Sequence, residues 1–126
     1  MNTHTCFICM GSNLDYATRL SNACLALQAH FPQIRFAEVL ETEAIGDKWL
    51  SPFGNQVGTF TTSLPAEEVR AIFKRIEKEN GRTPEDKEKG IVKLDIDLLM
   101  YDGHILKPED MTREHVIRGR NEIINQ

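Results

Sequence analysis

The segment whose residue types and spacing could do chemistry is Lys93-Leu94-Asp95-Ile96-Asp97-Leu98. On a strand, period-two alternation sends Leu94, Ile96 and Leu98 to one face and Lys93, Asp95 and Asp97 to the other. Same-face neighbours lie roughly 6–7 Å apart, where two carboxylates repel unless water or a cation separates their charges. Magnesium bound between them and a phosphate chain would relieve that repulsion. A solvated strand face explains the same spacing with no chemistry at all. Lys93 suits either reading, by neutralising Asp95 or by meeting a phosphate. Spacing alone leaves both open.

Other candidate chemistry is weaker. Cys6-Phe7-Ile8-Cys9 has the spacing of a metal or redox pair, but it lies in an apolar, strand-like run, where residues three apart point to opposite faces. Two core thiols are the expectation. With Cys24 they make three, an odd number in apolar settings that suits reduced thiols better than a disulfide framework. No Walker-type G-x-x-x-x-G-K-[ST] stretch is present, so any phosphate recognition rests on carboxylate-bound metal and scattered cations.

The formal charge of -4 and pI of about 5.5 lack the footprint of a protein whose main partner is a nucleic-acid backbone. No aromatic-rich RNA-binding signature sits on the strands, and the last strand carries acids instead. No run approaches the roughly 20 apolar residues that cross a bilayer, and MNTHTCF lacks the flanks of a signal peptide. A soluble, cytoplasmic protein is expected, with residues 1–126 as one domain too small for a separate cofactor domain.

The elements that must position Asp95 and Asp97 follow from pattern. Residues 5–10 read as a strand, and Gly11-Ser12-Asn13 as a turn and helix cap. Ala17, Leu20, Cys24 and Leu27 mark a helix over 14–30, stopped by Pro32. Residues 34–41 alternate as a strand, 43–55 form an irregular loop, and 53–64 form a second β run. Ser63-Leu64-Pro65 opens a helix with the stripe Val69, Ile72, Phe73 and Ile76, ended by Asn80-Gly81. The charged stretch 82–90 is expected to be a mobile, solvated loop. Residues 91–101 supply the last strand, 103–106 a short edge strand, and a basic tail follows with Arg113, His115, Arg118 and Arg120. The order β-α-β-β-α-β predicts an α+β, ferredoxin-like fold, mostly antiparallel, with both main helices on one face.

Taken in order, several short motifs agree with one family. They are Gly11-Ser12-Asn13; Phe53-Gly54-Asn55 followed by Val57 and the 61–65 approach to the second helix; Ile76-Glu77 with Gly81-Arg82; Gly90 to Asp97, continued by Leu98, Leu99 and Tyr101; and His115. In order and spacing the chain resembles the 6-hydroxymethyl-7,8-dihydropterin pyrophosphokinase family along nearly its whole length.

The resemblance implies transfer of the β,γ-pyrophosphoryl group of ATP to the hydroxymethyl oxygen of a reduced pterin, leaving AMP, in folate biosynthesis. It implies two magnesium ions on Asp95 and Asp97, with Arg82 and Lys93 beside the reacting phosphates. Thr42, Phe53 and Asn55 fall in the pterin pocket, Phe53 as an aromatic platform and Asn55 as an amide for the ring's polar edge. Glu77, Lys74, His115 and Arg118 fall on the nucleotide side. The partners implied are small molecules, with no nucleic acid and no membrane.

Departures from the family pattern accompany these matches. Its arginine is Val92 here, its proline Ile91, and the large aromatic before Gly90 is Lys89. Val116 follows His115 where an aromatic is usual, and the chain stops at Gln126 where the family continues through a further arginine and aromatic. Losing a planar, bidentate guanidinium from a phosphate site is not conservative, although Lys87, Lys89, Lys93, Arg118 and Arg120 offer replacement charge. The competing expectation is a catalytically reduced pterin- or nucleotide-binding module of the same fold.

Overall fold

In a computed structural model that describes residues 2–44 and 48–126, the apolar run 5–10 becomes the middle of strand β1 (His4–Ser12). There follow α1 (Tyr16–His30), β2 (Arg35–Phe36), β3 (Leu40–Thr42), β4 (Phe53–Thr62), α2 (Ala66–Glu79), β5 (Asp95–Tyr101), β6 (His104–Ile105), α3 (Pro108–Met111) and α4 (Glu114–Ile124). The sheet runs β2-β4-β1-β5-β6, with β3 also paired to β4, and every pairing is antiparallel. This is the ferredoxin-like α+β arrangement expected from the sequence. Among the described residues no helix is long and apolar enough to cross a membrane.

Alternation along the strands builds two cores. Ile8, Met10, Phe60, Ile96 and Leu98 face one side, where they meet Leu20, Ala23 and Leu27 of α1 and Val69, Phe73 and Ile76 of α2. Both main helices therefore share one face, as predicted. In α1 the buried stripe runs through Ala23 rather than Ala17, which is exposed. Each large side chain buried here contributes about 1.5–3 kcal/mol. The α2 stripe ends where Gly81, at φ 89°, turns the chain so that Arg82 N–H reaches Glu77 O at 3.2 Å.

The opposite face corrects the reading of a basic tail. Residues after 107 fold as α3 and α4, and Val116 and Ile123 of α4 pack on Phe7, Ala37, Val57 and Leu99. Gly119 lies against the sheet, where a Cβ would overlap Val57 Cγ2, so glycine sets how closely α4 approaches. Helix α4 also breaks the strand expected over 34–41. The Glu38 N–H is taken by the Glu122 carboxylate at 3.0 Å and the Ala37 carbonyl by Gln56 Nε2 at 2.9 Å, which divides that run into β2 and β3.

Three further expectations change. Residues 84–89 form a 3-10 helix opened by a capping box, in which Thr83 N–H donates to Asp86 Oδ2 at 2.9 Å, and Asp86 is buried. The solvated loop predicted over 82–90 is thus partly anchored. Residues 91–94 lie outside β5, because Val92 pairs instead with Asn13. Asn13 itself is no helix cap. Asp15, in the left-handed region at φ 50°, occupies that position, while buried Asn13 donates from Nδ2 to Gly90 O at 2.8 Å and accepts from Val92 N–H at 2.6 Å.

Candidate functional site

Asp95 opens β5 and Asp97 follows two residues on, so both project to the α4 side of the sheet while Ile96 and Leu98 enter the helix-covered core. Across the strands, Asp95 stands opposite Gly11, which in turn stands opposite Asn55; Asp97 stands opposite Cys9. Gly11 has no side chain to fill this row. A Cβ there would lie 3.5 Å from Asn55 Oδ1. The gap keeps Asn55 and Asp95 on opposite sides of one hollow.

That hollow is a cavity of about 950 Å³, whose lining includes Asp95, Asp97, Arg82, Thr42, Phe53, Asn55 and His115. Seven sequence-predicted residues thus share one space, at the upper end of the size usual for small-molecule sites. Lys93, Glu77, Lys74 and Arg118 are not part of its lining. Lys93 Nζ donates to Gly81 O at 2.9 Å and sits 3.3 Å from Asp86 Oδ1, so it ties the turn after α2 to the 3-10 helix. Lys74 is exposed on α2, and exposed Arg118 borders a separate smaller hollow with Glu38 and Glu122. Glu77 acts from behind, accepting from Ile96 N–H at 2.8 Å and forming an ion pair with Arg82 at 3.2 Å.

The two carboxylates are half-buried, with the Asp95 side chain 39% and the Asp97 side chain 34% exposed. Burial pushes the Asp97 carboxyl up to about 7, helped by the charge of Asp95 and a hydrogen bond to it, and only weakly opposed by Lys107, whose Nζ is 3.9 Å away. Burial also raises Glu77, against the Ile96 N–H bond and the charge of Arg82. Arg82 donates to Asp95 Oδ1 at 2.9 Å and to Leu94 O at 3.1 Å. Burial works to lower its pKa, but Asp95 and Glu77 outweigh that and leave it raised. His115 is lowered by burial and then by the charge of Arg113, so its imidazole is neutral at neutral pH.

The three cysteines are free thiols. Cys6 and Cys9 lie on opposite faces, as strand geometry requires, and burial pushes them up to about 11 and about 12, respectively. Cys9 lines the cavity as a protonated thiol.

The Asn55 amide is oriented by its neighbours. Its Nδ2 donates to Thr42 Oγ1 at 2.9 Å and to Leu40 O at 3.2 Å, which leaves Oδ1 towards the gap over Gly11. Phe53 stands edge to face with Trp49, with centroids 5.3 Å apart and planes at 87°.

Sequence reasoning missed several lining residues, among them Trp49, Asp110 and Arg113, whereas Lys87 is the one lining residue among the five cations named as replacement charge. Arg113 precedes α4, and its Nε donates to Asp110 Oδ1 at 3.0 Å. A helical stripe through Val116, Gly119 and Ile123 was the available signal that this segment folds back over the sheet. Among the described residues no group of three or more His, Cys, Asp or Glu side chains converges as a metal cage. The Asp95 and Asp97 pair alone would leave a cation open to other ligands.

The model of the 7,8-dihydro-6-hydroxymethylpterin-pyrophosphokinase family matches residues 7–125, nearly the whole chain. Among solved structures, a de novo designed protein with a ferredoxin fold is similar at 14% identity and a TM-score of 0.29, over 85% of this chain and 87% of the design.

Proposed function

The chain belongs to the 7,8-dihydro-6-hydroxymethylpterin-pyrophosphokinase family, and on that premise we propose that it transfers pyrophosphate from ATP to the hydroxymethyl group of a reduced pterin in folate biosynthesis. The hydroxymethyl oxygen bonds to the β-phosphorus as the bond from that phosphorus to the bridging oxygen of AMP breaks, and the hydroxyl proton is released. The observation that supports this reading best is one cavity lined by the Asp95 and Asp97 pair together with Phe53 and Asn55. A polyanion and a flat, polar-edged ring need those two kinds of surface side by side.

The donor set fits magnesium, a hard cation that takes one or two carboxylates and completes its shell with phosphate oxygens and water. Bound by Asp95 and Asp97, it would neutralise triphosphate charge and polarise the phosphoryl group. Arg82, Lys87 and Arg113 line the same cavity and supply cations for phosphate oxygens. Phe53 offers its face to the pterin, and Asn55 Oδ1 accepts from a ring N–H. Neutral His115 serves as a hydrogen-bond partner rather than as a charge. Glu77 and Lys93 position the machinery, Glu77 by holding Arg82 and the Ile96 N–H, Lys93 by bracing the turn at Gly81.

A specific observation favours a second reading. Val92 lines the cavity where the family pattern carries arginine, and an apolar side chain there stabilises no developing charge. A pterin- or nucleotide-binding module with reduced turnover follows from that. Incubation with ATP, magnesium and 6-hydroxymethyl-7,8-dihydropterin separates the two. AMP and a pterin pyrophosphate support the transferase, whereas calorimetric binding of both ligands without AMP supports the module.

A further inference from the structure

The segment Lys48-Trp49-Leu50 is fastened to the loop that leads into the acidic strand. Leu50 N–H donates to Gly90 O at 2.9 Å. Gly90 has φ 69°, and a Cβ on it would overlap Lys48 O, so only glycine lets the two segments lie this close. One residue further on, the Ser51 hydroxyl bonds Asn13 O, and Asn13 also holds Gly90 and Val92. These contacts deliver the Trp49 indole to the cavity wall beside Phe53, while the Lys48 ammonium lies 4.5 Å from the indole centroid and is not part of the lining.

Trp49 and Phe53 stand nearly perpendicular, at 87° with centroids 5.3 Å apart, and together they form an aromatic corner. A flat heterocycle stacked on either ring presents its edge to the other, the two arrangements that aromatic quadrupoles favour. Asn55 Oδ1 lies next along β4, placed to accept from that heterocycle's polar edge. The residue before Gly90 is exposed Lys89, so no aromatic side chain reaches the cavity from that side of the glycine.

We propose that Trp49 is a specificity-determining wall of the heterocycle site, brought in across Gly90 from the neighbouring segment. The assignment rests on the pterin reading given above. Trp49 is the chain's one tryptophan, so its emission reports on the site directly. The test titrates 6-hydroxymethylpterin, with magnesium and α,β-methylene-ATP present, into the wild-type chain and into Trp49→Ala and Trp49→Phe, following wild-type emission and the heat of binding in all three.

Saturable quenching is expected in the wild type. Trp49→Ala should raise the pterin dissociation constant about 10-fold, or about 1.4 kcal/mol. Trp49→Phe should recover most of that loss, and the affinity for α,β-methylene-ATP should be the same in all three. Unchanged pterin affinity in Trp49→Ala, or an equal loss of nucleotide affinity, overturns the assignment and leaves the function reading standing. No pterin binding to the wild type overturns both.

Discussion

Arg82 Nη1 donates to Asp95 Oδ1 at 2.9 Å and reaches Glu77 Oε2 at 3.2 Å, so one guanidinium nitrogen joins the end of α2 to the first carboxylate of β5. The contact is possible because Gly81 turns the chain back over Glu77. A cation arriving at Asp95 competes with this bond, and a phosphate arriving beside it offers Arg82 a new partner.

Two opposite effects are therefore expected from Arg82→Ala. AMP formation should fall by about 10²-fold, the scale of losing one donor to transition-state charge. Magnesium affinity without nucleotide should rise by about 5-fold, because a half-exposed pair worth about 1 kcal/mol no longer competes. Calorimetry with magnesium alone checks the second effect, and weaker magnesium binding would contradict it. Arg82→Lys should recover little activity, since an ammonium cannot reproduce the planar fork.

Asp97 is held against its own solvation and against Asp95, which makes it a cost to the fold. Its carboxyl is raised from 3.8 to about 7, so between those values the folded chain holds a proton that the unfolded chain releases. The resulting stability is fully present below the unfolded value and is lost as pH rises through about 7. In chelator, Asp97→Asn should be more stable than the wild type at pH 8 by about 1 kcal/mol, a figure discounted for partial exposure. The advantage should shrink towards pH 4, as thermal unfolding across that range would show. A variant less stable at pH 8 would contradict this account of the pair.

Asn13 ties β1 to the 90–92 segment through two side-chain bonds, to Gly90 O and from Val92 N–H. Asn13→Ala should cost about 2–3 kcal/mol, because it leaves buried partners unpaired. It should also weaken pterin binding more than nucleotide binding, since the docking of Leu50 on Gly90 loosens with it. Denaturant unfolding and ligand titration read the two effects separately.

At Gly119 the helix α4 touches Val57. Gly119→Ala gains about 1 kcal/mol of helix propensity but overpacks the contact at a cost of about 1–3 kcal/mol, so net destabilisation is expected. Pairing it with Val57→Ala should recover most of the loss. If the double variant were no better than the single one, close approach would not be the reason for this glycine.

How far the sequence spoke for itself depended on whether the cause was local. Alternation put Asp95 and Asp97 on one face because strand geometry admits no other outcome, and Asn80-Gly81 stopped α2 because a glycine takes the left-handed turn. The capping box of Thr83 and Asp86 was not read, because it sits in a charged run with no large apolar residue, which patterns as a solvated loop. The split of the 34–41 strand was not legible, since Glu122 reaches Glu38 from 84 residues away. Nor was Trp49, whose place depends on a backbone contact at Gly90. The short-range motifs carried the family resemblance, and long-range packing decided which cations and aromatics face the cavity.

On the function proposed above, Asp95 and Asp97 serve pyrophosphoryl transfer to a pterin. Phosphorus NMR of ATP with 6-hydroxymethyl-7,8-dihydropterin and magnesium, with the wild-type chain beside Asp97→Ala, tests it most directly. The expected result is wild-type conversion of ATP to AMP and a pterin pyrophosphate, reduced at least about 10²-fold in the variant. Equal AMP formation by both chains, or none by either, would contradict it.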